Sequence, residues 1–392
     1  MRIINSFLVF CAIALVSTPL FGQINVNQIN GQSGERINTI TTAVPFLTIS
    51  PNAKAGALGD AGVASDPDVN SIHWNPAKLA FVENDVAFSV SYTPWLKSLV
   101  PDINLGYLSG YKRLDDMQTI GASLLFFSLG DINFTNNQGQ QTGVFSPYEF
   151  AFDVAYSRKL SENFSLGMAG RYIFSNLSGN FSNGATESKP GKTIAADVSG
   201  FYTKEIELGD KNAVLNIGGN ISNIGAKMSY SSSDVKDFIP TNLRFGPGLK
   251  IEIDDYNEVS FLVDVNKLLV PTPPILEGTT IVEGEDDKTK SVPEGIFGSF
   301  TDAPGGAKEE FQELYYGTGF EYWYSGQFAL RAGYFYEHPF KGNRQFFTIG
   351  AGLKYNVFGL DFSYLVTTTQ ANPLENTLRF SLVFDFEALS SK

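Results

Sequence analysis

The feature that most constrains this chain is an alternation of period two, sustained over about ten residues at a time and repeated along most of its length. In VAFSVSY the apolar members Val86, Phe88, Val90 and Tyr92 are separated by Ala87, Ser89 and Ser91. In EFAFDVAYSRKL, Phe150, Phe152, Val154 and Tyr156 stand opposite Ala151, Asp153, Ala155 and Ser157. Successive side chains of an extended strand point to opposite faces, so each segment has one oily face and one small or polar face. The pattern returns over 164–174, 194–202, 215–221, 243–253, 259–265, 314–322, 328–336, 347–355, 358–364 and 378–386, and less regularly over 105–111 and 120–126. Fourteen strands result, an even count, as an antiparallel barrel with both chain ends on one side requires. A soluble β-sandwich also alternates, but its outward face is polar; here large apolar side chains hold one face and mainly Gly, Ser, Ala, Asn and Asp the other. The expectation is an all-β protein, a 14-stranded antiparallel transmembrane β-barrel over 86–392.

Connection lengths test that reading independently. Outer-membrane barrels alternate short periplasmic turns with long extracellular loops. The links KRLDDMQT, RKLSENF, IEIDDYNE, YSGQ and YNVFG are short, whereas GDINFTNNQGQQTGVFSPYE, SNLSGNFSNGATESKPGKT and SNIGAKMSYSSSDVKDFIPT are long, and the two kinds interleave. The longest link covers 271–311. With the N-terminus periplasmic, parity places every long link outside. Tyr92, Trp95 and Tyr355 near strand ends suit interfacial aromatic girdles. Pro247, between Gly246 and Gly248, removes a ladder donor from its strand and reads either as a bulge or as a gap in the wall.

Ahead of the strands, Arg2, an apolar run from Phe7 to Val16 and the helix breaker Pro19 read as a signal peptide over 1–22, cut between Gly22 and Gln23. The run is too short for a membrane-spanning helix, which takes about 20 residues. The single cysteine, Cys11, lies within this leader. The mature chain would hold none, which excludes disulfides and thiolate metal sites. A net charge of -13 argues against nucleic acid and against attraction to anionic lipid.

Residues 23–85 lie between leader and barrel and contain GALGDAGVASDPDVNSIHWNPAKLAF. Gly56, Gly59 and Gly62 are wrongly spaced for a dinucleotide fingerprint. Asp66, Asp68 and Asn70 begin like a calcium loop, but Ser71 stands where a glycine must turn the chain and Ala77 where the bidentate glutamate belongs. No cofactor or metal is expected. A compact small-residue segment can instead plug the lumen, its backbone satisfied by inward polar side chains. Asn75 is placed to cap a short helical turn, with Pro76 at its first position and Ala77, Lys78 and Leu79 continuing it. Gly59 and Gly62 allow tight contact with the wall. Asp60 either pairs with a lumen arginine (Arg171, Arg244, Arg331 or Arg379) or is a solvated turn carboxylate.

A barrel of fourteen strands preceded by a segment bearing NPA resembles the FadL-type outer-membrane proteins, in which that segment forms a hatch. More narrowly, GALGDAGVAS followed by WNPAKLAF, with DFIPTNLRFGPGLK and DVNKLLVPTPP, resembles the PorV (LptO) family of the Bacteroidetes type IX secretion system. DVNKLLVPTPP separates it from the related PorQ better than the hatch does. The resemblance covers essentially the whole mature chain. It implies a non-catalytic outer-membrane carrier that binds the C-terminal signal domain of cargo leaving the SprA translocon. The carrier then delivers that cargo to a surface attachment complex containing the sortase PorU, while embedded in outer-membrane lipid. The working surface would then be extracellular loops and barrel wall.

Residues 277–313 hold ten acidic and three basic residues. Pro271, Pro273 and Pro274 would stiffen the start of the longest loop and project it from the rim, and Glu283, Glu285, Asp286 and Asp287 would offer a salt-sensitive partner surface. A charge run can equally be plain solvated surface. Two other functions compete. Uptake of a hydrophobic small molecule, as in FadL relatives, predicts an apolar pocket between hatch and barrel and a lateral gap. A lipid deacylase needs a Ser-His-acid site, for which only His73 and His338 are available, without a G-x-S-x-G elbow.

Overall fold

The computed structural model describes residues 37–97, 99–177, 188–231, 236–277, 280–368 and 372–386. The leader, its cleavage point and residues 23–36 of the hatch segment lie outside them. Fourteen antiparallel strands close into one barrel. They are β1 (Val86–Pro94), β2 (Ile103–Arg113), β3 (Gln118–Leu129), β6 (Tyr148–Lys159), β7 (Phe164–Asn176), β8 (Gly191–Leu208), β9 (Lys211–Gly225), β10 (Asn242–Asp254), β11 (Asn257–Leu268), β14 (Tyr315–Tyr324), β15 (Phe328–Tyr336), β16 (Gln345–Tyr355), β17 (Phe358–Thr367) and β18 (Leu378–Phe386). Two small hairpins stand outside the barrel: β4 (Ile132–Thr135) with β5 (Gln141–Phe145), and β12 (Ile275–Glu277) with β13 (Thr280–Glu283). The cylinder closes where β1 pairs with β18, from Val86↔Phe386 to Tyr92↔Phe380. Every strand expected from the alternation is present.

The alternation also fixes which face looks where. Along β1, Val86, Phe88, Val90 and Tyr92 are exposed on the outer wall, while Ala87, Ser89, Ser91 and Thr93 are buried inside. The same inversion, oily outside and polar within, continues around the wall, with Ile194, Val198, Phe245, Leu330 and Ile349 all exposed. That is the arrangement a lipid-embedded barrel needs, because closure pairs the strands around the wall and turns a mainly apolar face outward. Among the described residues no helix is long and apolar enough to cross a membrane, and the strands take that role.

Tyr92 and Tyr355 face outward at strand ends, as the girdle reading requires. Trp95 does not. It lies one residue beyond β1, where strand periodicity no longer applies, and packs half-buried against an inner apolar cluster beneath the Arg379 guanidinium. At Pro247 the β10–β11 ladder skips two residues, running from Phe245↔Val265 to Gly248↔Leu262 without a change of register. On its other side Pro247 stays paired with Ile217 of β9. The glycine before it lets the two backbones touch, since a Cβ on Gly246 would overlap the Val263 carbonyl.

Residues 38–85 occupy the lumen. They comprise a 3-10 turn (Pro45–Thr48), α1 (Ala53–Ala57), α2 (Ser71–Trp74) and a second 3-10 turn (Pro76–Phe81). The segment enters at the end carrying the long connections, where Asn38 N donates to Phe340 O and Ala43 N to Phe238 O. It leaves at the short-turn end, where Val82 packs with Tyr111 and Ala87 just before β1. Apolar clusters clamp it at both ends: Phe46 and Leu47 against Leu105, Phe127 and Ile173 at the first, Ile72 and Leu79 against Ala155 and Ala169 at the second.

Candidate functional site

Between those clusters the hatch is held by hydrogen bonds to the inward polar face of the wall. Gly59 has φ +68, and its N–H donates to Thr348 Oγ1 at 3.0 Å. A Cβ there would lie 2.6 Å from the Thr318 carbonyl and from the Tyr334 backbone, so only glycine combines the left-handed conformation with this backbone contact. Three residues on, Gly62 N and Val63 N converge on one Asp264 carboxylate oxygen at 2.8 and 2.9 Å. This is an anion cradle made by successive backbone amides, with the anion supplied by β11. The Gly62 carbonyl in turn accepts from Lys78 Nζ at 2.9 Å, which also reaches Ser65 Oγ at 2.8 Å.

The Asn-Pro-Ala triplet does what the sequence suggests locally. Asn75 Oδ1 accepts from Ala77 N at 3.1 Å, and Pro76 opens the 3-10 turn. Its second role was not legible locally: Asn75 Nδ2 donates both to Val63 O and to Gly200 O of the wall. Ala77 N donates to Ser199 Oγ at 2.9 Å, and its carbonyl accepts from Ser157 and Ser165. Ala77 thus meets β6, β7 and β8 through its backbone alone, and its methyl side chain serves by being small.

Of the four candidate arginines, Arg379 stands nearest Asp60, at 3.9 Å, where Asp60 itself adopts a left-handed φ of 58. Arg171 is held by Asp153 at 2.5 Å and Asp197 at 3.1 Å, and Arg331 by Glu321 at 2.5 Å and Asp361 at 2.6 Å. Arg244 bonds Asn266 and lies over the Trp74 ring. His73 sits edge-on to Trp74 and Tyr107. A void of about 10 Å³ beside His73, Arg171 and Asn223 has room for about one water. His338 Nδ1 accepts from Phe340 N in the outer turn.

The longest connection differs from its sequence reading. Pro271 and Thr272 are buried and Pro273 and Pro274 half-buried, so the proline stretch lies down on the rim instead of projecting from it. The reason is electrostatic. Lys267 and Lys341 both bond Glu313, at 2.6 and 3.0 Å, Thr272 Oγ1 donates to the same carboxylate at 2.6 Å, and Glu310 and Glu309 complete the pairing. Asn38 of the hatch segment adds bonds to Glu309 and to the Pro273 carbonyl. The C-terminal part of the acidic run is therefore an ion-pair base and not solvated surface. Glu283, Glu285 and Asp286 are exposed and Asp287 half-buried; Glu285 meets Lys290 at 3.1 Å. On the base stand α3 (Val292–Gly298), whose Ser291 and Glu294 form a reciprocal capping box, and α4 (Ala307–Gln312). They present Phe297 and Phe311 at 78% and 71% exposure, with Phe300 beside them.

No curated protein matches the chain. Among solved structures, the Pseudomonas putida toluene transporter TodX aligns at 11% identity and TM-score 0.49, covering 88% of this chain and 98% of that one. The Ralstonia pickettii toluene transporter TbuX aligns at 11% and 0.46, covering 88% and 100%. A Pseudomonas aeruginosa FadL homologue aligns at 11% and 0.41, covering 89% and 100%. Likenesses this distant carry no argument about function. The model of the type IX secretion system protein PorV, in contrast, matches residues 32–275, a span that includes the hatch, the Asn-Pro-Ala triplet and the wall as far as the proline stretch. The chain belongs to the PorV family of type IX secretion system proteins, and its barrel is an outer-membrane one.

Proposed function

We propose that this protein binds the C-terminal signal domain of secreted cargo as it leaves the SprA translocon and carries it to the PorU-containing attachment complex, without catalysing a reaction. The observation that carries the reading is the pairing of a filled lumen with a folded outer loop. Leu58, Ala61, Val63, Ile72, Ala77 and Leu79 of the hatch are all fully buried. The loop above the rim is fixed at its base by Glu313 and presents Phe297, Phe300 and Phe311 to the outside. Aromatic residues on a rigid mount are the anchors protein partners use. Glu283, Glu285, Asp286 and Asp287 of the same loop add a salt-sensitive rim that speeds encounter more than it strengthens binding.

Replacing residues 275–308 by a short linker tests this. Insertion and heat-modifiability should persist, since the barrel keeps its wall hydrogen bonds, while tagged cargo should accumulate with the translocon or go unattached. Normal surface display by the shortened protein would sink the proposal. A second reading, uptake of a hydrophobic small molecule, draws on an apolar cleft of about 430 Å³ where Leu243, Phe245 and Val265 of the wall meet Phe300, Phe311 and Leu314 of the loop, although this cleft lies outside the hatch–barrel boundary where that reading placed its pocket. Growth of a deletion strain on long-chain lipid, set against its secretion of cargo, separates the two.

A further inference from the structure

The rim at the short-turn end has a step in it. β6 and β7 finish together, with Lys159 opposite Ser165, and their turn closes when Leu160 and Ser161 donate to Phe164 O. β8 does not stop there. Its last partner on β7 is Phe164, opposite Tyr202, yet it runs six residues further to Leu208, paired over that stretch with β9 alone, from Thr203↔Asn216 to Leu208↔Lys211. Asn163 marks the end of the shared ladder: its backbone carbonyl accepts from Thr203 N at 2.9 Å and its side-chain amide donates to Thr203 O at 2.8 Å. Backbone groups of a strand point alternately to its two sides. Thr203 points to the β7 side, so the N–H and C=O of Glu205 and Glu207 do too, and among the described residues nothing pairs with them.

The free edge lies past the membrane. Between Lys192 at its outer end and Lys204 here, the outward positions of β8 (Ile194, Ala196, Val198, Gly200 and Tyr202) carry no charge, so the two lysines bracket the lipid-facing stretch and Lys204 marks where the strand leaves the bilayer. In an outer-membrane barrel this end faces the periplasm. The surroundings are acidic. Residues 203–212 and 251–258 hold seven carboxylates, including Glu205, Glu207, Glu252 and Asp254, against Lys204 and Lys211. Glu205, Glu207, Asn212 and Glu252 line a cleft of about 470 Å³ there.

We infer that this step is a docking edge that takes an extended, lysine- or arginine-bearing segment of a periplasmic protein as an added strand. An unpaired edge is a template for any strand, and main-chain hydrogen bonds give such addition its affinity while alternate side chains give it selectivity. The charge makes that selection. A second copy of this hairpin would bring Glu205 and Glu207 against the same residues, which like-charge repulsion disfavours, whereas a basic strand places its cations opposite them. The inference stands apart from the outer-loop reading, since it concerns the opposite end of the barrel.

The test uses the full-length protein in nanodiscs and a fluorescent (Lys-Val)₄ peptide, read by anisotropy. Expected are saturable binding that weakens as salt rises, loss of binding when alternate peptide amides are N-methylated, and none for (Glu-Val)₄. Glu205→Pro with Glu207→Pro removes two free-edge donors without touching the β9 ladder, and should raise Kd at least tenfold while heat-modifiability is unchanged. Glu205→Lys with Glu207→Lys should do the same while keeping the backbone, so the two pairs separate edge from charge. Binding that survives N-methylation or the proline pair would overturn strand addition. Equal binding of the acidic peptide would overturn the charge argument. Concentration-dependent dimers abolished by the proline pair would show that the edge belongs to a second copy, and would overturn the choice of partner.

Discussion

Two irregular segments hang on the same barrel and are held in opposite ways. The hatch is fixed by its backbone: Gly59, Gly62, Val63 and Ala77 all present main-chain groups to wall side chains, and their own side chains contribute by being absent or small. The outer loop is fixed by side chains, through Glu309, Glu310 and Glu313 on Lys267 and Lys341, and it leaves Phe297, Phe300 and Phe311 exposed. A segment inside a lumen must bring its amides to preplaced acceptors in fixed space, so it tolerates almost no change of volume. A segment outside needs only a few strong anchors at its base, and everything above them is free to serve a partner.

Gly59 is the most sensitive point of the hatch. Gly59→Leu places a side chain in a left-handed conformation and into the Thr318 carbonyl, an expected loss of roughly 4 kcal/mol or more, read as collapse of the yield of heat-modifiable barrel. A bulky residue at Pro76 should act likewise on yield. If yield stays normal while binding of a small hydrophobic ligand is lost, the hatch is a specificity element and the contrast fails. Next, Asp264→Ala strands two hatch amides and the nearby Arg244, about 3 kcal/mol by analogy with other buried charge deletions, measurable as a shift in denaturant midpoint. Asp264→Asn, which keeps an acceptor, should recover part of it.

The loop should answer differently. Glu313→Ala releases two ammonium groups at the base, an effect of about 2 kcal/mol confined to the loop: protease cleavage within residues 280–300 should rise several-fold while the barrel's own unfolding midpoint holds. A shift of the barrel midpoint equal to that of Asp264→Ala would show the two regions to be one cooperative unit. Acid sharpens the point. Burial raises the Glu309 carboxyl, but Lys341, Gly305 N and Asn38 outweigh it and hold it below its ordinary 4.5. Its contribution is complete above that value and is lost as pH falls through the lowered one, so loop proteolysis should accelerate below pH 4.5 before the barrel responds. Least affected should be Glu285→Gln at the exposed tip, within about 0.5 kcal/mol of the parent protein by thermal melting, with its effect appearing only in the salt dependence of partner encounter.

How much could be read in advance follows the same division. Strand positions, the inside and outside faces, and the cap at Asn75 with Pro76 behind it depend on neighbours one to three residues away, so the chain states them outright. Asp264 and Thr348 carry no local mark, because what distinguishes them from other inward polar residues is the hatch amide that arrives 202 and 289 residues away in sequence. Trp95 read as a girdle residue because it follows an outward-facing strand, and only the turn after β1 sends it inward.

Closure into a fourteen-stranded barrel with an oily exterior follows from the residue pattern alone, since a period of two with one apolar face leaves a chain in lipid no other way to satisfy its backbone. Which arginine meets Asp60, the flat lie of the proline stretch on an ion-pair base, and the overrun of β8 past β7 that leaves a bare edge emerge only in the folded barrel. Those outcomes depend on register and on which distant groups closure brings together, and Coulomb attraction and ladder pairing act on positions in space that no local pattern encodes.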